Sequence, residues 1–238
     1  MKLFASGLPS KSVRIFAIAA AWAGMSVSAQ ATTLAYNGMA YGSEVVALSN
    51  TSPSYNSTVN AGEMRFVRDD AGVISSILAY CVDIFQPATS SAQQYTLVDG
   101  LSYFGTQKSD ALGRLFTEFD IWNAGTSVTA HESAAMQLAV WEIVNETAAV
   151  GGKASYNLSD GNFSAIGATS GTVALAQGWL DGLETTHDNW YSVSAYKNAS
   201  FQDYLALNRV PEPGSVALMF AGLAALGFTS RRRKTAKA

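Results

Sequence analysis

A single cysteine, Cys81, stands among 238 residues. One thiol cannot close an intramolecular disulfide, so this chain must hold its fold by core packing alone. The thiol is then inert, paired between molecules, or chemically used. It lies in Ala79-Tyr80-Cys81-Val82-Asp83. A helix-patterned glutamine follows in Ala135-Met136-Gln137-Leu138-Ala139-Val140-Trp141-Glu142. A Cys on a buried strand facing a Gln on a buried helix has a further option. Its sulfur can attack the carboxamide, expel ammonia and leave an internal thioester, an electrophile held for an amine.

Both ends of the chain read as targeting segments. Lys2, Lys11 and Arg14 precede an apolar run from Ile15 to about Val27, and Ala29-Gln30-Ala31 is a small-x-small cleavage site. Residues 1–31 are read as a secretory signal peptide and set apart from the fold. At the other end, Val210-Pro211-Glu212-Pro213-Gly214 precedes an apolar stretch, 215–228, and the cluster Arg231-Arg232-Arg233-Lys234. The stretch is a short candidate transmembrane helix, with the basic cluster on its cytoplasmic side. This order resembles the PEP-CTERM sorting signal of exopolysaccharide-producing Gram-negative bacteria. The resemblance implies that an exosortase recognises Pro211, Glu212 and Pro213, with Arg231, Arg232 and Arg233 closing the signal. It also implies removal of the tail 209–238, and release or attachment at the cell surface or in the extracellular matrix.

What remains, 32–208, is one domain's worth of chain, long enough to bury a core without disulfides. It carries 17 Asp plus Glu against 6 Lys plus Arg, a net charge of −11. The whole-chain value of −3 hides this, because nine of the fifteen basic residues lie in the end segments. An acidic body argues against nucleic acid as a partner.

The first half patterns as strands, around 34–36, 44–48, 64–68 and, most strongly, 73–85. In the last, Ile74, Leu78, Tyr80, Val82 and Ile84 share one face, and Ile77, Ala79, Cys81, Asp83 and Phe85 the other. Two largely apolar faces predict a central strand. Residues 49–62 and 150–171 are polar and read as loops. Leu112, Leu115, Phe116 and Phe119 predict a helix capped by Ser109, and Val173, Ala176, Leu180 and Leu183 another. Thr129-Ala130-His131-Glu132 is a capping box opening a helix that runs to about Glu146. Ala134, Gln137, Trp141 and Val144 line its buried stripe, where an unpaired amide would cost about 1–3 kcal/mol. Residues 190–196 are β-rich again. The expected class is α+β: a mainly antiparallel β core with an inserted helical segment, flanked by the signal peptide and a transmembrane sorting tail.

The segments Tyr80-Cys81-Val82-Asp83 and Met136-Gln137-Leu138-Ala139-Val140-Trp141 resemble the thioester domains of bacterial surface adhesins. That resemblance implies Cys81 as thioester sulfur and Gln137 as acyl carbon. The implied partner is a lysine-bearing surface or matrix protein, with exopolysaccharide a further candidate. Held at near-attack distance, the thiol meets a high effective molarity of carboxamide. Asp83 is an accessory candidate for managing a proton, and Trp141 for packing over the bond. His131 belongs to the capping turn. This is single-turnover capture, not turnover catalysis, and it needs no cofactor or metal. Two rival readings stay open. One is a non-covalent structural protein of the matrix with Cys81 inert. The other is a secreted hydrolase, for which no Gly-x-Ser-x-Gly elbow, phosphate loop, Cys-x-x-Cys or second zinc-protease histidine is present.

Overall fold

The computed structural model describes residues 31–119, 127–146, 149–150, 153–154, 156–166, 170–183, 185 and 188–209. The signal peptide expected at 1–31, save Ala31, and the sorting tail, save Arg209, lie outside them. Among the described residues no helix is long and apolar enough to cross a membrane.

Six strands open the chain: β1 (Ala31–Met39), β2 (Glu44–Asn50), β3 (Tyr55–Ala61), β4 (Met64–Asp70), β5 (Val73–Cys81) and β6 (Gln93–Asp99). The helices α1 (Gly100–Phe104), α2 (Thr106–Glu118) and α3 (Ala130–Asn145) follow. Then come the short β7 (Ala149–Val150) and β8 (Lys153–Ala154), β9 (Phe163–Ile166), α4 (Ser170–Gly182), β10 (Tyr191–Lys197) and β11 (Tyr204–Arg209). An antiparallel barrel closes in the order β1-β4-β5-β11-β10-β6, and β3-β2-β9 form a separate antiparallel sheet. The expected mainly antiparallel α+β architecture is what forms.

Two cores result. Leu34, Phe66, Tyr95, Tyr196 and Tyr204 fill the barrel. A larger core gathers one barrel end, the three-stranded sheet and the helices. Through it runs α3, buried without a break from Ser133 to Ile143. A helix apolar on all sides is a core element, and α3 packs against α2, α4 and four strands. Its start is fixed as expected: Thr129 Oγ1 accepts from the Glu132 amide at 3.2 Å, and the Glu132 carboxylate accepts from the Thr129 amide at 2.8 Å. Ser133 Oγ accepts from the Glu63 amide at 2.7 Å, pinning the first turn to the β3–β4 connection. The backbone there needs Gly62, at φ +153°, where a Cβ would lie 2.8 Å from the Gly42 carbonyl.

Several expectations are corrected. Residues 49–62 are not a loop: they finish β2 and form β3. Exposed Asn56, Thr58 and Asn60 alternate with the more covered Tyr55, Ser57, Val59 and Ala61, so a polar outer face hid a period of two. Within 150–171, β9 pairs with β2 and buries Phe163 and Ala165. Ser109 is not a cap but a buried residue inside α2. Gly105, at φ +80°, ends α1 and starts α2, a conformation that favours glycine. The strand expected over 73–85 stops at Cys81. It is central in having two neighbours, yet Val73 and Ile74 are 69% and 63% exposed, and only Ala79, Tyr80 and Cys81 are fully buried.

Candidate functional site

The end of β5 is where the barrel pairing gives out. On one side the β4 ladder ends at Met64 opposite Ala79. On the other, β11 begins with Tyr204 opposite Cys81. Cys81 therefore has no strand partner on its β4 edge, and its N–H and C=O there are buried polar groups that need satisfaction. Gln137 supplies it. Its Oε1 accepts from the Cys81 amide at 3.0 Å, and its Nε2 donates to the Cys81 carbonyl at 2.8 Å. One side-chain amide thus stands in for a missing strand. Cys81 and Gln137 are 2% and 1% exposed. The structure brings together the two residues singled out by sequence.

The thiol donates to the Asp83 carbonyl at 3.4 Å. Burial pushes it far above the usual thiol range, the Trp141 indole opposes the shift, and the Asp83 charge adds to it. The indole N–H makes no well-formed hydrogen bond among the described residues. Its pull on the sulfur is therefore weak, and burial dominates: the thiol is neutral. Asp83 turns the chain away from the site, its carboxylate accepting from the Phe85 amide at 2.8 Å. Its main-chain oxygen, not its carboxylate, meets the thiol. Trp141 is buried one turn beyond Gln137 and lines the same cavity.

That cavity, about 410 Å³, lies between the barrel end and the three-stranded sheet. Its rim includes the exposed Pro87, Ala88 and Ser90, and its wall includes Tyr36, Tyr55 and Met64, with Cys81, Gln137 and Trp141 at its buried end. Among the described residues no charged one lines it.

Asp203 was not anticipated from sequence. Its carboxylate accepts from the Tyr103 hydroxyl and the Asn198 amide, each at 2.6 Å, and its carbonyl from the Val82 amide at 3.0 Å. Burial raises its pKa against those two bonds. It locks the chain directly after Cys81. Gln202 helps, donating to the Asp83 carbonyl at 3.1 Å. The available signal was the Asn198-Ala199-Ser200 turn before the apolar Tyr204-Leu205-Ala206 run, a hairpin pattern. His131 stays outside the site. Its Nδ1 meets Thr172 Oγ1 at 2.7 Å and Glu44 at 3.4 Å, tying α3 to α4 and β2. Among the described residues no group of acidic, His and Cys side chains is placed to hold a metal.

The arrangement combines a neutral buried thiol, a carboxamide fixed on the same residue's main chain, and an uncharged cavity open at its rim. Of the sorting motif only Arg209 is among the described residues, so its evidence is the sequence. A family model for the PEP-CTERM protein-sorting motif matches residues 209–234. Neither a curated protein nor a solved structure matches the chain. The motif marks an exported bacterial protein, sorted by an exosortase to the cell surface or the extracellular space.

Proposed function

We propose that Cys81 and Gln137 form an internal thioester that captures an amine on a partner, making this a covalent adhesion or cross-linking protein of the cell surface or matrix. The observation that carries this reading is the Gln137 carboxamide, held by two hydrogen bonds on the main chain of the one cysteine, at the buried end of an open cavity. The reaction balances without an outside base. The Cys81 sulfur bonds to the Gln137 carbonyl carbon, the carbon–nitrogen bond breaks, and the thiol proton leaves on nitrogen as ammonia. Fixing the carboxamide on the main chain of the same residue supports the proximity that an unactivated amide needs. Burial then keeps water from the product.

The test is intact mass. The purified chain should weigh one ammonia less than its sequence, and Cys81 should resist alkylation until methylamine is added. A full sequence mass, with a thiol that titrates freely on unfolding, would end the thioester reading.

A second reading has its own observation. Gln137 already satisfies both backbone groups of Cys81, which is sufficient reason for a buried glutamine. On that reading the chain is a non-covalent structural protein of the matrix, and the full sequence mass is its signature. For either, Pro211-Glu212-Pro213 is the proposed exosortase recognition element of a Gram-negative cell. Replacing it should leave the tail uncleaved in the inner membrane.

A further inference from the structure

Resting on the thioester reading, we infer that the acceptor is an amino sugar rather than the side chain of lysine. Three observations point there. First, no charged residue lines the cavity among the described residues, so none of them can take a proton inside it from an arriving ammonium. The two carboxylates whose charge reaches the thiol are otherwise engaged: Asp83 with the Phe85 amide, Asp203 with Tyr103 and Asn198. Neither lines the cavity, and the negative charge of both reaches the thiol. That field makes a cationic amine hold its proton more firmly.

The amine must therefore arrive neutral. With a pKa near 10.4, roughly one lysine in 2,500 is neutral at pH 7. An amine lowered to about 8, the range of an α-amino group, is neutral in roughly one molecule in ten. The electron-withdrawing oxygens of a sugar ring lower an amine on that ring in the same direction. The less basic amine is also the weaker nucleophile, which returns about half of the gain on a logarithmic scale.

Second, the lining combines the aromatic residues Tyr36 and Tyr55 with the amide residues Gln86 and Gln202. Aromatic faces cover the apolar side of a ring, and amides pair with hydroxyls. Third, Gln86 Oε1 is buried and has no hydrogen-bond partner among the described residues. A buried acceptor without a partner is costly, and a ligand hydroxyl at the cavity wall would satisfy it. The four-carbon stem of lysine has no group to offer there.

In the capture step, the neutral amine attacks the Gln137 acyl carbon and the carbon–sulfur bond breaks. The amine proton passes to sulfur, leaving an amide and the free Cys81 thiol. The test uses the purified full-length chain at pH 7, read by intact mass, with equal concentrations of glucosamine and N-acetyl-lysine amide. Glucosamine should add about ten-fold faster, the excess shrinking as pH rises and lysine deprotonates. Gln86→Leu should slow glucosamine addition several-fold more than methylamine addition. A chain one ammonia light that takes up methylamine, yet captures the lysine amide as fast as glucosamine, overturns this inference alone. Equal slowing of glucosamine and methylamine in Gln86→Leu also overturns it. A full sequence mass before any amine is added overturns the thioester reading beneath it.

Discussion

Gln137 and Glu142 sit on the same buried helix and meet burial in opposite ways. The neutral amide of Gln137 has both its ends paired with the Cys81 main chain. Glu142, fully buried, has one oxygen accepting from the Asn157 amide at 2.7 Å. Its other oxygen has no partner among the described residues. Burial pushes this acid up to about 8, the Asn157 bond working against the shift and the Glu146 charge with it. An amide can thus be buried with both its oxygen and its nitrogen paired, whereas this carboxyl is buried by keeping its proton. The two residues also hold different things. Gln137 completes a sheet ladder at the Cys81 main chain, while Glu142 anchors the 156–162 loop onto α3, as Glu146 does through the Asn162 amide.

The sharpest way to break this comparison is to remove each half of the Cys81–Gln137 pair. Both Cys81→Ala and Gln137→Ala should abolish the ammonia deficit completely, since neither can form the bond. Their stabilities should differ. Gln137→Ala strands two buried backbone groups, at about 1–3 kcal/mol each. Cys81→Ala keeps those groups paired and removes one heavy atom from the core, costing about 1 kcal/mol. Urea denaturation of the two variants reads the contrast. Equal midpoints would mean that Gln137 is not what completes the β5 edge.

Trp141→Ala comes next. It opens a cavity in the main core, at about 3–5 kcal/mol. In protein confirmed as folded, the thioester should hydrolyse faster, the chain gaining one water while Cys81 stays a free thiol. A thioester as long-lived as the parent's would make Trp141 ordinary core and place the shielding elsewhere.

Much of this was legible before any coordinates. The capping box Thr129–Glu132, with α3 ending at Asn145, follows from local chemistry that no tertiary contact overrides. The Gln on the apolar stripe announced itself by being out of character with Trp141 and Leu138. What sequence could not show was why it is tolerated. The missing β4 neighbour of Cys81 depends on where two distant ladders stop, at Met64 and Tyr204, and no local pattern records that. The same holds for β3, whose polar outer face outweighed its inward Val59 and Ala61. It holds for Asp203, whose partners Tyr103 and Asn198 come from separate elements. The apolar second face of β5 misled in the other direction, since Ile74 and Leu78 remain exposed.

The Glu142 half of the comparison is tested by pH. Its folded pKa lies above the unfolded carboxylate value near 4.3. The folded chain therefore holds a proton that the unfolded chain releases between roughly pH 4.3 and 8. Its contribution is complete below that window and lost as pH rises through it, with a slope up to about 1.4 kcal/mol per pH unit. Glu142→Gln keeps the acceptor for Asn157 and removes the titration. Stability curves at pH 5, 6, 7 and 8 should show the variant flatter than the parent and the more stable of the two at pH 8. Parallel slopes would show Glu142 already ionised in the fold.

The smallest effect belongs to the exposed end of the same helix. Thr129→Ala removes the side-chain acceptor for the Glu132 amide and half of the capping box. Water reaches this turn, so the freed amide is solvated rather than stranded, and the loss is about 1 kcal/mol, typical of an N-cap. The Ser133–Glu63 bond still fixes the first turn against the β3–β4 connection, so the register of α3 and the position of Gln137 should hold. The variant should keep the full ammonia deficit and shift only its urea midpoint. A partial deficit in Thr129→Ala would show that the cap sets the register that brings Gln137 to Cys81. The covalent site would then depend on the solvent-facing end of α3 as well as on its buried middle.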